Sequence, residues 1–274
     1  MRSKQFRYLM LMLIILLLGA AVFIIARPWI ESRQSLAMQR DLQAIYQTPS
    51  SPQQPHPTAS VTSTVPAAPT ARPTTAVWPT AGESEPTEIQ PQFRELLEIN
   101  DDVIGWIIIP GTMIDYPVVQ GDDNKWYLDH DLYGEEDKAG TVFMDYRMTL
   151  DGKDRHQILY GHHLRQGTMF TDLMKYKNAD FFQKNRRIIL DRLDGREVWE
   201  IFSVYVTSVD FYYIETRFSD DQAWLDFIKA IQDRSMHDTS VELSAGDQVL
   251  TLSTCTYEFD NARFAVHARR VSQP

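Results

Sequence analysis

The chain has 274 residues, 43% hydrophobic and 23% charged, which suits one folded domain with appended segments, or two domains at most. Its formal net charge of −10 argues against a nucleic-acid binder, which needs a basic face. With a single cysteine, an intramolecular disulfide and a multi-cysteine zinc module are both excluded, so that residue acts, if at all, as a free thiol.

Residues 1–7 carry Arg2, Lys4 and Arg7 and read as a short cytoplasmic N-terminus. Tyr8 to Ala26 is an unbroken uncharged run, long enough as a helix to span roughly 28 Å of hydrocarbon. Gly19-Ala20-Ala21 offers a signal-peptide cleavage site, but the apolar run continues past it, which favours an uncleaved single-pass anchor. The basic residues ahead of the run place the remainder outside the cell, with Arg27 and Arg33 as opposing signals. Residues 27–46 are mixed polar and apolar and suit a short juxtamembrane helix. Residues 47–91 hold ten of the fourteen prolines and one glycine, Gly82, so this segment cannot bury a core and is expected to be a disordered stalk.

Residues 92–274 form the expected catalytic domain, with 20 Lys and Arg against 32 Asp and Glu. Phe93–Ile99 has helical spacing. Short β-rich runs follow at 103–109, 113–119, 141–144, 157–160, 187–191, 197–209, 248–253 and 264–270, separated by turn sequences such as Pro110-Gly111 and Asp194-Gly195. Many short strands at this spacing predict a barrel or sandwich. Weaker helices are expected at 169–174 and 179–185. Ser219-Asp220-Asp221-Gln222 is a capping-box sequence with Ser219 at the N-cap, opening a helix over 219–235 that carries Trp224, Phe227, Ile228 and Ile231 on one face.

Cys255 closes the strand-like stretch Thr251-Leu252-Ser253-Thr254-Cys255, a place where reactive groups often stand, although a free cysteine is equally at home as a small buried hydrophobe. A nucleophilic thiol needs a base, usually histidine, and an oxyanion donor. Tyr160-Gly161-His162-His163 follows another strand, with Gly161 allowing unusual backbone geometry. Arg263 begins the strand after Cys255, and hairpin geometry would return it to the thiol. No third and fourth ligand stands at a zinc spacing, so no metal or other cofactor is expected.

These three stretches together resemble the sortases, and within them class B. Tyr160-Gly161-His162 matches the histidine motif, Thr251-Leu252-Ser253-Thr254-Cys255 the cysteine motif, and Arg263 the short class B spacing. Ile99–Ile107 and Ile114–Gln120 look like the class B entry into the barrel, and His162–Phe170 its histidine loop. The resemblance covers Phe93 to Val271. It implies a mainly β fold: a closed eight-stranded β-barrel with an N-terminal helix and a long helix between strands 6 and 7, preceded here by the transmembrane helix.

The resemblance further implies cysteine transpeptidation. A sorting signal is cut after its Thr, a thioacyl intermediate forms on Cys255, and the protein passes to an amine of the peptidoglycan cross-bridge or its lipid-linked precursor. His162 becomes the general acid/base, Arg263 the substrate-positioning and oxyanion-stabilising group, and His163 a non-catalytic neighbour. Asn124, Leu128, Tyr160, Tyr213, Ile214, Ser253 and Thr254 fall where class B members bind substrate. An acidic partner for the histidine is in doubt, since Tyr257 stands at that position with Glu258 and Asp260 nearby. The expected partners are secreted proteins bearing sorting signals and a Gram-positive wall. Alternatives are a protease with water as acceptor, a pilin-polymerising sortase, and a non-catalytic surface-binding module in which Cys255 is inert.

Overall fold

Residues of both orientations are buried along β-strands such as 103–108, 115–119 and 249–255, because both faces of the sheet are covered. In the computed structural model, which describes residues 2–48, 89–164 and 167–271, eight strands close into a barrel. They are β1 (Val103–Ile108), β2 (Asp115–Val119), β3 (Val142–Met144), β4 (His156–Tyr160), β5 (Arg187–Arg192), β6 (Gly195–Ser208), β7 (Val249–Cys255) and β8 (Ala262–Val271). Their order around the barrel is β1-β2-β3-β4-β7-β8-β6-β5, parallel at β2–β3 and β4–β7 and antiparallel elsewhere. Leu250, Leu252, Phe264 and Val266 of β7 and β8 join Ile107, Leu159 and Trp199 in the barrel core. Closure removes the sheet edges that would otherwise expose unpaired backbone.

Two further apolar clusters lie on the outer faces. In one, helix α4 (Asp221–Gln232) presses Trp224, Ile228 and Ile231 against Phe202, Tyr205, Val249 and Ala265. The helix starts one residue later than its sequence predicts. Asp220, not Ser219, is the N-cap and accepts from the Ala223 amide at 2.8 Å, while the Ser219 hydroxyl donates to the Asp220 carboxylate. Both residues are competent caps, and the carboxylate gains the additional attraction of the helix dipole.

The second outer cluster joins α1 (Arg2–Gln47) and α2 (Arg94–Ile99) to β1 and β2. Instead of an anchor followed by a separate short helix, α1 is continuous through Pro28. Its last turns are part of the folded body. Tyr46 stacks on Trp106 with ring centroids 4.3 Å apart, its hydroxyl donates to Asp191, and Gln43 donates to the Asp115 carbonyl at 3.0 Å. Among the described residues no helix is long and apolar enough to cross a membrane; side chains at 9, 20–21 and 24–26, inside the expected anchor, fall outside that description. The stalk expected at 47–91 falls mainly at 49–88, also outside the described residues. Its flanks stand on one patch of the barrel: Tyr46 reaches Asp191, and Gln90 donates to the carbonyls of Arg192 and Leu193.

Short helices occupy the stretch before β5, a 3-10 helix at Phe170–Lys177 and α3 (Ala179–Lys184). The 3-10 helix follows Met169, whose φ of 56° is unusual for a side chain with a Cβ. That bend is supported from below. The Met169 amide donates to the Tyr116 hydroxyl at 2.8 Å, and that hydroxyl donates to Gln39 of α1 at 3.2 Å.

Candidate active site

The register of β4, β7 and β8 brings the three expected catalytic residues to one end of the barrel. Cys255 is the last residue of β7, exposed, and lies directly across from Arg263 of β8. Directly opposed residues project to the same face with Cβ atoms ~5 Å apart. Arg263 is half-buried and donates to its neighbouring Ala262 carbonyl. β4 runs parallel to β7 with Tyr160 opposite Ser253, and the Gly161 amide donates to the Ser253 carbonyl. His162 and Cys255 each follow two residues after that pair.

Gly161 serves space rather than backbone freedom. A Cβ there would stand 2.8 Å from the buried Phe170 ring, and Gly161 is not among the residues with positive φ.

His162 is oriented by a backbone carbonyl. Its Nε2 lies 2.6 Å from the Leu128 oxygen, and because a carbonyl only accepts, Nε2 carries the proton and donates. Nδ1 is then the ring nitrogen left for proton transfer. Glu258, near the position of the doubtful acidic partner, is bound by Lys177 and by the Thr256 hydroxyl. His163 has a different task. Its Nδ1 donates to the Cys255 carbonyl at 3.2 Å, its ring packs on Tyr257, and the Tyr257 hydroxyl donates to the His163 carbonyl at 2.9 Å. This reciprocal clasp ties the histidine loop to the turn after Cys255. Burial pushes the His163 pKa down. Arg165 and Gln166 of the same loop lie outside the described residues.

Alternation along β7 sorts its side chains. Cys255, Ser253 and Thr251 share the outer face, while Thr254 lies with Leu252 toward the interior. Thr254 is 3% exposed, its hydroxyl has no hydrogen-bond partner among the described residues, and its side chain lies on the face of β7 opposite Cys255. The other expected substrate residues meet Ser253, the Asp145–Arg147 pair and His162. The Tyr213 hydroxyl lies 2.7 Å from Ser253 Oγ, within electrostatic reach of Arg263 and Cys255. Asn124 and Tyr160 both donate to Asp145, at 3.0 and 2.8 Å. The Ile214 carbonyl accepts from Arg147 at 3.1 Å. Leu128 contributes its carbonyl to His162 and leaves a 39% exposed side chain at the rim.

The sequence did not mark the residues behind these side chains. Beside Asp145 and Arg147 runs a buried chain whose proton positions follow from its ends. The His156 Nδ1 lies 2.6 Å from the Glu215 carbonyl and therefore donates. Its Nε2 then accepts from the Thr251 hydroxyl at 2.6 Å. Thr251 Oγ1 in turn accepts from His267 Nδ1, and His267 Nε2 accepts from the Tyr205 hydroxyl. This assignment takes both rings as neutral, in keeping with burial, which lowers both pKa values, that of His156 to about 4. The chain pins the segment at Glu215 to β7 directly under the Ser253–Cys255 edge.

This arrangement carries a sign. Folded imidazoles that refuse protons face unfolded ones that titrate near 6.5, so the stabilisation is complete above about pH 6.5 and is lost as pH falls toward 4. The melting temperature is expected to drop by about 5 °C or more across that window. Thermal melts at stepped pH check this, and a flat profile would contradict the neutral chain.

Comparison with known proteins agrees with the geometry. The Sortase domain family model matches residues 107–271. A curated Sortase B of Staphylococcus aureus is 31% identical over 271 residues, covering 98% of each chain. The Sortase B of Listeria monocytogenes is 38% identical over 189 residues, 68% of this chain and 76% of its own. Among solved structures, sortase B of Bacillus anthracis superposes with a TM-score of 0.71 at 33% identity, covering 89% of this chain and all of that one.

Proposed function

The chain belongs to the sortase family, class B, and is a cysteine transpeptidase; from that premise we propose that Cys255, His162 and Arg263 carry the reaction at the mouth between β4, β7 and β8. The observation that carries this reading is the Cys255–Arg263 cross-strand pair, with His162 at the corresponding place beyond β4.

The Cys255 thiolate attacks the carbonyl of the Thr residue in a sorting signal, forming a tetrahedral oxyanion. Arg263 donates to that oxygen; the Thr256 amide is already committed to the Ala262 carbonyl. His162, oriented through Leu128, protonates the departing amine and leaves a thioester on Cys255. An incoming amine gives up a proton to His162, attacks the thioester and takes the acyl group as an amide, releasing the Cys255 thiolate beside a protonated His162.

On this reading the acceptor is an amine of the peptidoglycan cross-bridge or its lipid-linked precursor, and the products are surface proteins fixed to a Gram-positive wall. The uncharged Tyr8–Ala26 run and the basic residues ahead of it support an N-terminal anchor with the barrel outside the cell. The test is product analysis with a pooled sorting-signal peptide library, with and without glycine-type and diaminopimelate-type amines. Amide product that rises with added amine is expected. Free acid alone, at the same rate with and without amine, would make the protein a protease.

A further inference from the structure

Asp145 is fully buried and accepts five hydrogen bonds on two oxygens. Oδ1 takes the Arg147 amide at 3.0 Å and Arg147 Nε at 2.8 Å. Oδ2 takes Arg147 Nη2 at 2.7 Å, the Tyr160 hydroxyl at 2.8 Å and Asn124 Nδ2 at 3.0 Å. Arg147 then reaches outward, donating from Nη2 to the Ile214 carbonyl and from Nη1 to the Tyr212 hydroxyl, both at 3.1 Å. Burial raises the Asp145 pKa, but its bonds from Arg147 and Tyr160 outweigh that and hold it below the usual carboxylate range.

This pair joins three chain segments: the loop at Asn124, the end of β4 at Tyr160, and the β6–β7 connection at Tyr212 and Ile214. It also settles which hydrogen-bonding capacity Tyr160 and Asn124 have left. The Tyr160 proton is spent on Asp145, so toward the groove its oxygen can only accept. The Asn124 oxygen accepts from the Tyr146 amide at 3.0 Å and one of its N–H groups is spent on Asp145, leaving one N–H to donate. An accepting oxygen and a donating N–H on one wall complement the N–H and C=O of an extended peptide.

We propose that Asp145 and Arg147 are positioning residues that hold Asn124, Tyr160 and the Tyr212–Ile214 segment in register to bind the backbone of the donor peptide, without acting on the thiol. The proposal rests on the transpeptidase reading above and deepens it to the control of donor recognition. A buried carboxylate whose partners are all fixed is what such a support requires, since a groove is only as exact as the shell behind it.

The experiment measures donor-peptide kcat and KM at saturating amine for the full chain and for Asp145→Asn, Arg147→Gln and Arg147→Lys. In parallel it measures the rate of Cys255 alkylation by iodoacetamide as a function of pH. Asp145→Asn turns an N–H toward Arg147, and Arg147→Gln removes the reach to Ile214. Both are expected to raise KM by about 10-fold or more, with smaller changes in kcat. The alkylation rate and its pH profile are expected to stay as in the parent. Arg147→Lys keeps the charge but not the fork, and is expected to fall between. Because Arg147 is partly exposed, its variants give the answer even where Asp145→Asn fails to fold. Unchanged KM in folded Arg147→Gln would overturn the proposal, as would alkylation slowed in step with turnover. A parent chain that turns over no donor peptide would overturn both this proposal and the reading beneath it.

Discussion

Cys255→Ala is expected to abolish transpeptidation, by about 10⁵-fold or more, while the protein still unfolds cooperatively near the parent melting temperature. The two halves of that result have separate causes. Cys255 supplies the only thiol in the chain, and no neighbouring side chain can take over a thioester. Its side chain is also exposed, at the last position of β7, where the strand is held by backbone pairing to Arg263 and by the apolar residues preceding it. Removing one exposed sulfur leaves those contacts intact, so the stability change is expected to stay within about 0.5 kcal/mol. Turnover assays and thermal melts on the same preparation check both halves. A variant that unfolds would make Cys255 a packing residue, and one that still turns over would place the nucleophile elsewhere.

Arg263→Lys is expected to lower kcat/KM by about 10²–10³-fold, the scale for losing one oxyanion donor. Lysine keeps the charge but presents a single ammonium instead of a planar fork. Compensation from the backbone is limited, because the Thr256 amide is bound to Ala262. Position matters as much as charge: Arg263 lies across from Cys255, and a shorter grip on the substrate carbonyl would have to be won by moving β8, which pairs with both β6 and β7. Steady-state kinetics on the variant decide the matter, and rates near the parent value would remove Arg263 from the mechanism.

Much of this architecture was legible because the strands are short runs of apolar and β-branched residues between strong turns. Val103–Ile108 and Val249–Cys255 are bounded by Asn100-Asp101-Asp102 and by Gly246-Asp247, and their ends shift only slightly from expectation. The α4 helix was equally clear, and its start moved by one residue because two adjacent capping residues compete. The docking of α1 was not legible. Leu42 and Tyr46 gain their partners only when Phe93, Leu96 and Trp106, far along the chain, fold beneath them. Residues 47–91 read from composition as a stalk, and Tyr46 and Gln90 at its two ends share one patch of the barrel.

The site divides the same way. Cys255, His162 and Arg263 follow from motif and register. The clasp between His163 and Tyr257, the neutral chain from Tyr205 to Glu215, and the Asp145 pair do not, because each is made by segments that meet only through barrel closure. Asp145-Tyr146-Arg147 in isolation is indistinguishable from a charged surface turn. What surrounds its carboxylate is the convergence of Asn124, Tyr160 and Arg147.

The most direct measurement is intact-protein mass spectrometry of the full chain mixed with sorting-signal peptides before any amine is added. The account predicts an acyl adduct that maps to Cys255, is absent from Cys255→Ala, and is lost to an amide when amine is supplied. A folded protein that cleaves the peptides without ever carrying that adduct would contradict a thioacyl mechanism.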